Sequence, residues 1–221
     1  RQGAPHGTLA LCVRQTAGRG RRGRSWLSGE GAVCMTLLLR PPFPLQLAPR
    51  YVVACALGVC RALRAFGAGA RIKWPNDILA DGRKLCGILL EADASGFVVA
   101  GIGVNVNQRY FPADIADAAG SLWAATGQAH DPNEVIARIL NECEPPFALC
   151  GSEAGYAALL ESYKALSLTI GSRVRVFAPD EEYDAKAVGL DSLGMLVVRR
   201  DDGETRVVSA GDVSIRGVID N

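Results

Sequence analysis

The residue types best suited to chemistry are concentrated in one short stretch, Gln15-Thr16-Ala17-Gly18-Arg19-Gly20-Arg21-Arg22-Gly23-Arg24-Ser25-Trp26, where four arginines sit among three glycines. Arginines at this density repel one another and gain nothing from burial, while the glycines let the backbone approach a ligand and reach positive φ. Guanidinium forks and exposed backbone N–H groups together suit a phosphate-rich anion. A solvated basic turn is the bland alternative. The apolar runs Leu9–Val13 and Ala32–Leu39 flank the loop and read as two buried strands, so it is anchored at both ends. The glycines match G-x-G-x-x-G, but loop rather than helix follows the third glycine, and no acidic residue stands about twenty positions on. A G-x-x-x-x-G-K-[ST] motif is also absent from the sequence. The anion argument therefore stands without either standard nucleotide scaffold.

Two further stretches carry candidate chemistry. Lys73-Trp74-Pro75-Asn76-Asp77 presents a cation, an amide and a carboxylate around a proline turn, and Lys84 follows seven residues later. By itself it reads first as a plain Pro-Asn-Asp turn, and only second as a binding element. Gly101-Ile102-Gly103-Val104-Asn105 places bare glycines on one face of an apolar strand, where another backbone or a flat ligand packs, or where a barrel strand bends.

Several elements must position these residues. Pro49 precedes a helix expected from about Arg50 to Ala65, closed by Gly67 and Gly69. Asp81-Gly82 marks a hairpin leading into the strand Leu85–Glu91, and Phe97–Asn107 forms the next strand. Asp131, Pro132 and Glu134 supply an N-cap, an N1 proline and a capping-box acid for a helix running to about Glu142, which Pro145-Pro146 then breaks or kinks. A second helix spans roughly Ser152 to Ala165. From Gly171 the pattern switches to period two: Arg173–Phe177, Tyr183–Gly189, Met195–Arg199 and Thr205–Val208, with turns at Pro179-Asp180, Asp191–Gly194 and Asp201–Gly203, read as a small barrel. The chain thus divides into residues 1–168 and 169–221, with the boundary near Leu168.

The 221 residues are 49% hydrophobic and 21% charged, with a net charge of only +1, so positive charge is local to one loop. That favours a small anionic ligand over a long polyanion. Seven cysteines, odd in number and without a C-x-x-C pair, read as reduced core residues of a cytoplasmic protein. With only two histidines, a hard cation on oxygen fits better than zinc. The most apolar helix, Tyr51–Phe66, is interrupted by Arg61 and Arg64 and is too short for a bilayer. The start at Arg1-Gln2-Gly3-Ala4-Pro5-His6-Gly7 reads as a helix end and a turn, implying natural sequence upstream.

Taken together and in this order, the Gly/Arg loop, Lys73–Asp77 with Lys84–Glu91, and Gly101–Asn107 closely resemble the biotin protein ligases over residues 15–107. The C-terminal small barrel fits the same family. The resemblance implies an α/β (α+β) catalytic domain on a mixed sheet, a C-terminal SH3-like β-barrel, and coupling of biotin to ATP followed by transfer to a lysine of a biotin carboxyl carrier domain. It implies an adenylate-binding role for the loop, with Arg19, Arg21, Arg22 and Arg24 at the phosphates and Trp26 on the adenine side. Gln15, Gly18, Arg19, Arg21, Lys84, Gly87 and Gly103 match biotin-contacting positions. Asn76 and Asn105 match positions near the nucleotide, Arg21, Lys84 and Asp77 the catalytic set, and Asp77 a ligand of Mg²⁺ or a base for the acceptor lysine. The Ser-Thr-Asn segment that family members carry before their first strand has no counterpart in this sequence. Homodimerisation is a further expectation; membrane and nucleic-acid binding are not expected. Lipoate ligases share much of the pattern and are the nearest alternative. An RNA-binding module is a different class, disfavoured by 6% aromatic content and the absence of a basic excess.

Overall fold

The protein is described by a computed structural model covering residues 3–93, 95–178, 181–208 and 212–215. Six strands, β1 (Thr8–Cys12), β2 (Ala32–Leu39), β3 (Arg71–Lys73), β4 (Asp77–Ala80), β5 (Arg83–Ala92) and β6 (Val98–Asn105), form one sheet in the order β1-β2-β6-β5-β4-β3. Every ladder in it is antiparallel. The parallel component of the expected mixed sheet is confined, among the described residues, to single bridges from Ile72 to Ser167 and from Lys84 to Ala119.

Helix α1 spans Arg50–Ala65, as its proline and glycine punctuation predicts, and is buried along most of its length. Its apolar surface is covered on one side by the sheet and on another by α3 (Pro132–Leu149), with α4 (Glu153–Leu166) alongside and the short α2 (Leu122–Thr126) preceding them. Gly58 is where α1 and α3 come closest: a Cβ there would collide with the Cys143 side chain and lie 2.7 Å from its Cα. The Asp131 carboxylate caps α3 by accepting from the Asn133 N–H at 2.8 Å. Of the break or kink expected at Pro145-Pro146, the break does not occur, and α3 continues through both prolines. Proline normally forfeits a helical hydrogen bond and crowds the preceding turn. Here that last turn buries Pro146 and sets the Phe147 ring edge-on to Tyr51 at 5.4 Å, so packing outweighs the local cost.

Two other expectations change. Strand β1 is an edge strand rather than a buried one: it pairs only with β2, and Leu11 is 53% and Val13 89% exposed. An apolar run alone does not say whether both faces of a strand are covered. Cys12, on this edge, is exposed, whereas the other six cysteines are buried. Burial lifts the thiols of Cys60, Cys143 and Cys150 to about 12, which keeps them protonated and unreactive.

The C-terminal strands, β7 (Arg173–Phe177), β8 (Glu182–Leu190), β9 (Leu196–Arg199), β10 (Thr205–Val208) and β11 (Asp212–Ile215), make a second antiparallel sheet in the order β10-β9-β8-β7-β11. This is the strand content of the expected small barrel, with β11 added; the turn expected at Pro179-Asp180 lies outside the described residues. The two sheets meet where Trp74, following β3, donates its backbone N–H to Thr169 Oγ1 at 2.9 Å and its indole N–H to the Gly194 carbonyl at 2.9 Å.

Candidate active site

The site begins with the loop between β1 and β2. Its two arms cross at Gly18, whose carbonyl accepts the Trp26 N–H at 2.9 Å, and a Cβ on Gly18 would collide with the Trp26 carbonyl. Gly20 then donates to the Arg24 carbonyl at 2.7 Å, closing a short 3-10 turn over Arg21–Gly23. Arg22 and Gly23 take φ of 54° and 76°. Only the last of the three loop glycines is therefore used for positive φ, and Gly18 serves close approach instead.

This loop roofs a cavity of about 740 Å³. Gly87 on β5 and Gly103 on β6, register partners across the sheet, form a bare floor beneath it. The Trp26 indole lies on that floor: a Cβ on Gly103 would collide with it, and one on Gly87 would come within 3.3 Å. Trp26 Nε1 is buried there with no nitrogen or oxygen hydrogen-bond partner among the described residues, next to the Cys34 thiol. The structure thus puts Trp26 against the glycine face that the sequence pattern assigns to a flat ligand, and a ligand seated on that face must displace or share it.

Charge is arranged around one end of the cavity. The Lys84 ammonium stands 2.8 Å from Asp77 Oδ1, an ion pair whose angles do not make an aligned hydrogen bond. Asp77 opens β4 opposite Lys73 in register, immediately after the Trp74-Pro75-Asn76 turn. Burial pulls the Lys73 ammonium below its ordinary pKa, opposed by Asp77 and assisted by Lys84. Arg21 Nη1 donates to Asn76 Oδ1 at 3.4 Å, and Asn76 Nδ2 donates to the Ile88 carbonyl at 2.6 Å, so the amide fixes the guanidinium to β5. Burial also lowers the Arg21 pKa, opposed by Asp212 and Asp77. Burial has thus already removed some of the hydration of both cations.

The cavity is lined by Gln15, Arg19, Arg21, Arg24, Trp26, Asn76, Asp77, Lys84, Gly87, Gly103 and Asn105, which the fold brings together from four separate segments. Gly18 and Arg22 sit instead on the opposite side of the loop, facing a second hollow of about 720 Å³ against α1 and the Gly194 turn. Arg19 points outward to Glu91 at 3.2 Å. Asn105 is 5% exposed, and its amide is engaged with the Gly120 carbonyl at 2.9 Å and Gln108 Nε2 at 2.9 Å, which makes it a brace for the cavity wall. Sequence reasoning missed the wall itself: Phe111, Asp114, Ile115 and Ala118 come from the segment after β6, tied to β5 by the Lys84 N–H donating to the Ala118 carbonyl at 2.7 Å. It also missed Asp212 of β11, whose carboxylate meets Arg21 at 3.3 Å and Arg24 at 3.1 Å. No signal in the sequence links residues so far apart. Among the described residues no group of three His, Cys, Asp or Glu forms a metal-binding cluster.

Comparison with known proteins accords with this arrangement. The Biotin/lipoate A/B protein ligase family matches residues 2–107, and the biotin protein ligase C-terminal domain matches residues 169–216. The chain is 37% identical to the biotin--[acetyl-CoA-carboxylase] ligase of Mycobacterium tuberculosis, covering 94% of this chain and 78% of that protein. It is 38% identical to the bifunctional ligase/repressor BirA of Bacillus subtilis; 94% of this chain aligns, but it spans only 66% of the BirA length. The fold superposes on the Aquifex aeolicus biotin protein ligase, solved with biotin and ATP, with a TM-score of 0.85 and 30% identity over 97% of this chain and 90% of that one. The chain belongs to the biotin protein ligase family.

Proposed function

We propose that the protein activates biotin with ATP to give biotinyl-AMP and pyrophosphate, then transfers the biotinyl group to a lysine of a biotin carboxyl carrier domain. The observation that carries this reading is the convergence of Arg21 and Lys84 beside a bare glycine floor in one cavity. A flat bicyclic ligand suits the floor, and the cations suit its carboxylate together with phosphates. Two anions must meet in the first step. The biotin carboxylate attacks the α-phosphorus and pyrophosphate departs, so charge builds on phosphate oxygens, where Arg21 and Lys84 act as preorganised donors.

Asp77 fits two duties. In the second step the acceptor amine attacks the anhydride carbonyl, AMP leaves, and the proton shed by the nitrogen needs a base at the cavity mouth. We assign that proton to Asp77, with Lys84 holding the carboxylate in place. Mg²⁺, which requires only one or two carboxylates beside substrate phosphates, would be held through Asp77 and would neutralise phosphate charge. The loop and Trp26 would cover the anhydride and exclude water, and Gln15, Arg19 and Asn76 would orient the substrates. Arg22 and Arg24 add positive potential at the loop.

The two-domain division near Leu168, a cytoplasmic location and a homodimer complete this reading. They are supported in turn by the second sheet starting at Arg173, by the absence of any membrane-spanning helix among the described residues, and by the exposed apolar edge of β1. The deciding experiment gives the full-length protein MgATP, a carrier domain, and either biotin or lipoate. Mass spectrometry should find one carrier lysine biotinylated. Lipoylation without biotinylation would transfer the assignment to the lipoate branch.

A further inference from the structure

Asp212 is the C-terminal sheet's contribution to the ion pairs of the arginine loop among the described residues. Its Oδ1 accepts from Arg21 Nη1 at 3.3 Å, while Oδ2 faces Arg24 Nη2 at 3.1 Å and Arg22 Nη1 at 3.8 Å. One carboxylate, 18% exposed, therefore sits among three guanidiniums on the cavity side of β11. Its position is set by the β11–β7 ladder, in which Asp212 pairs with Phe177, and so by a part of the fold remote from the glycine floor.

A carboxylate and a phosphate offer a guanidinium the same kind of oxygen acceptors. A phosphate drawn to Arg21 and Arg24 must compete with Asp212 for the same N–H groups. We propose that Asp212 is an internal counterion: a positioning residue that holds the arginine loop to the C-terminal sheet and is exchanged for phosphate oxygens when nucleotide binds. Three positive charges against one negative leave the cluster attractive to anions, while the internal competitor reduces apparent affinity in proportion to the time it occupies the arginines. Release of Asp212 would then couple nucleotide binding to a loosened contact between loop and C-terminal sheet. This inference rests on the reading that the cavity receives nucleotide phosphates.

The test is calorimetric titration of the full-length protein with inorganic pyrophosphate and with MgATP, for wild type, Asp212→Asn and Asp212→Glu. Asp212→Asn should bind pyrophosphate about three- to tenfold more tightly, as expected when one competing partly screened ion-pair network is removed. The gain should shrink at high salt, and Asp212→Glu should return wild-type affinity. A residue that only pinned the two sheets together would give equal or weaker pyrophosphate binding in Asp212→Asn, and that result overturns the proposal. Hydrogen exchange on the wild type gives an independent reading that needs no variant to fold. Pyrophosphate should protect residues 18–26 while raising exchange at residues 212–215; joint protection of both segments overturns the proposal. A wild type that binds neither pyrophosphate nor MgATP would overturn the functional reading along with it, whereas binding without a gain in Asp212→Asn overturns the counterion alone.

Discussion

The α1–α3 packing and the arginine loop are held by opposite kinds of interaction. Along α1, Ala54, Cys55, Leu57, Val59, Cys60 and Leu63 are fully buried, and the contact with α3 is close enough to exclude a Cβ at Gly58. The loop buries no residue in its turn and is held by ion pairs to Asp212 and Glu91, the Arg21–Asn76 hydrogen bond, the Trp26 ring on the glycine floor and a few backbone hydrogen bonds. Apolar contacts of the first kind are indifferent to which anions are present and fix a scaffold. Ionic contacts of the second kind can be handed to another anion that offers the same oxygen acceptors, and partly exposed pairs contribute only modest stability in the first place. The molecule thus separates a packed helix scaffold behind the sheet from an exchangeable roof, and the site lies between that roof and the glycine floor of the sheet.

This contrast is open to direct attack. Leu57→Ala removes a wholly buried side chain from α1 and should cost about 2–5 kcal/mol of unfolding free energy, read from urea denaturation. A loss below about 1 kcal/mol would show that the helix layer is not the scaffold. Arg24→Gln removes a side chain that is 61% exposed and paired to Asp212, and the same measurement should move by less than about 1 kcal/mol. A loss as large as that of Leu57→Ala would mean that the loop's ion pairs belong to the folding core, and the division between scaffold and roof would fail.

The sequence reveals the scaffold and part of the roof. Helix α1 is legible because Pro49 and Gly67 bracket an apolar run of helical length, and β7 because Arg173–Phe177 alternates with period two. Local pattern is silent where a neighbour decides the outcome. Pro145-Pro146 reads as a break or a kink, and the helix runs through it because Tyr51 of α1 supplies packing for that turn. Leu9–Val13 reads as buried because apolarity does not report which sheet edge a strand occupies. At the site, the glycine floor, Arg21, Asp77 and Lys84 follow from spacing together with family resemblance. The resting place of Trp26 depends on how the loop folds back over Gly103, and the Asp212 contact depends on the register of β11 against β7, some 190 residues from the arginines it meets.

Adenylate formation tests the central claim most directly. In a single-turnover reaction of the full-length protein with biotin and MgATP, wild type should yield biotinyl-AMP and pyrophosphate. Arg21→Ala should be slower by about a hundredfold or more, the usual cost of losing a preorganised donor to developing charge, with its thermal midpoint little changed. An Arg21→Ala protein that forms biotinyl-AMP at the wild-type rate would contradict the assignment of phosphate chemistry to this loop.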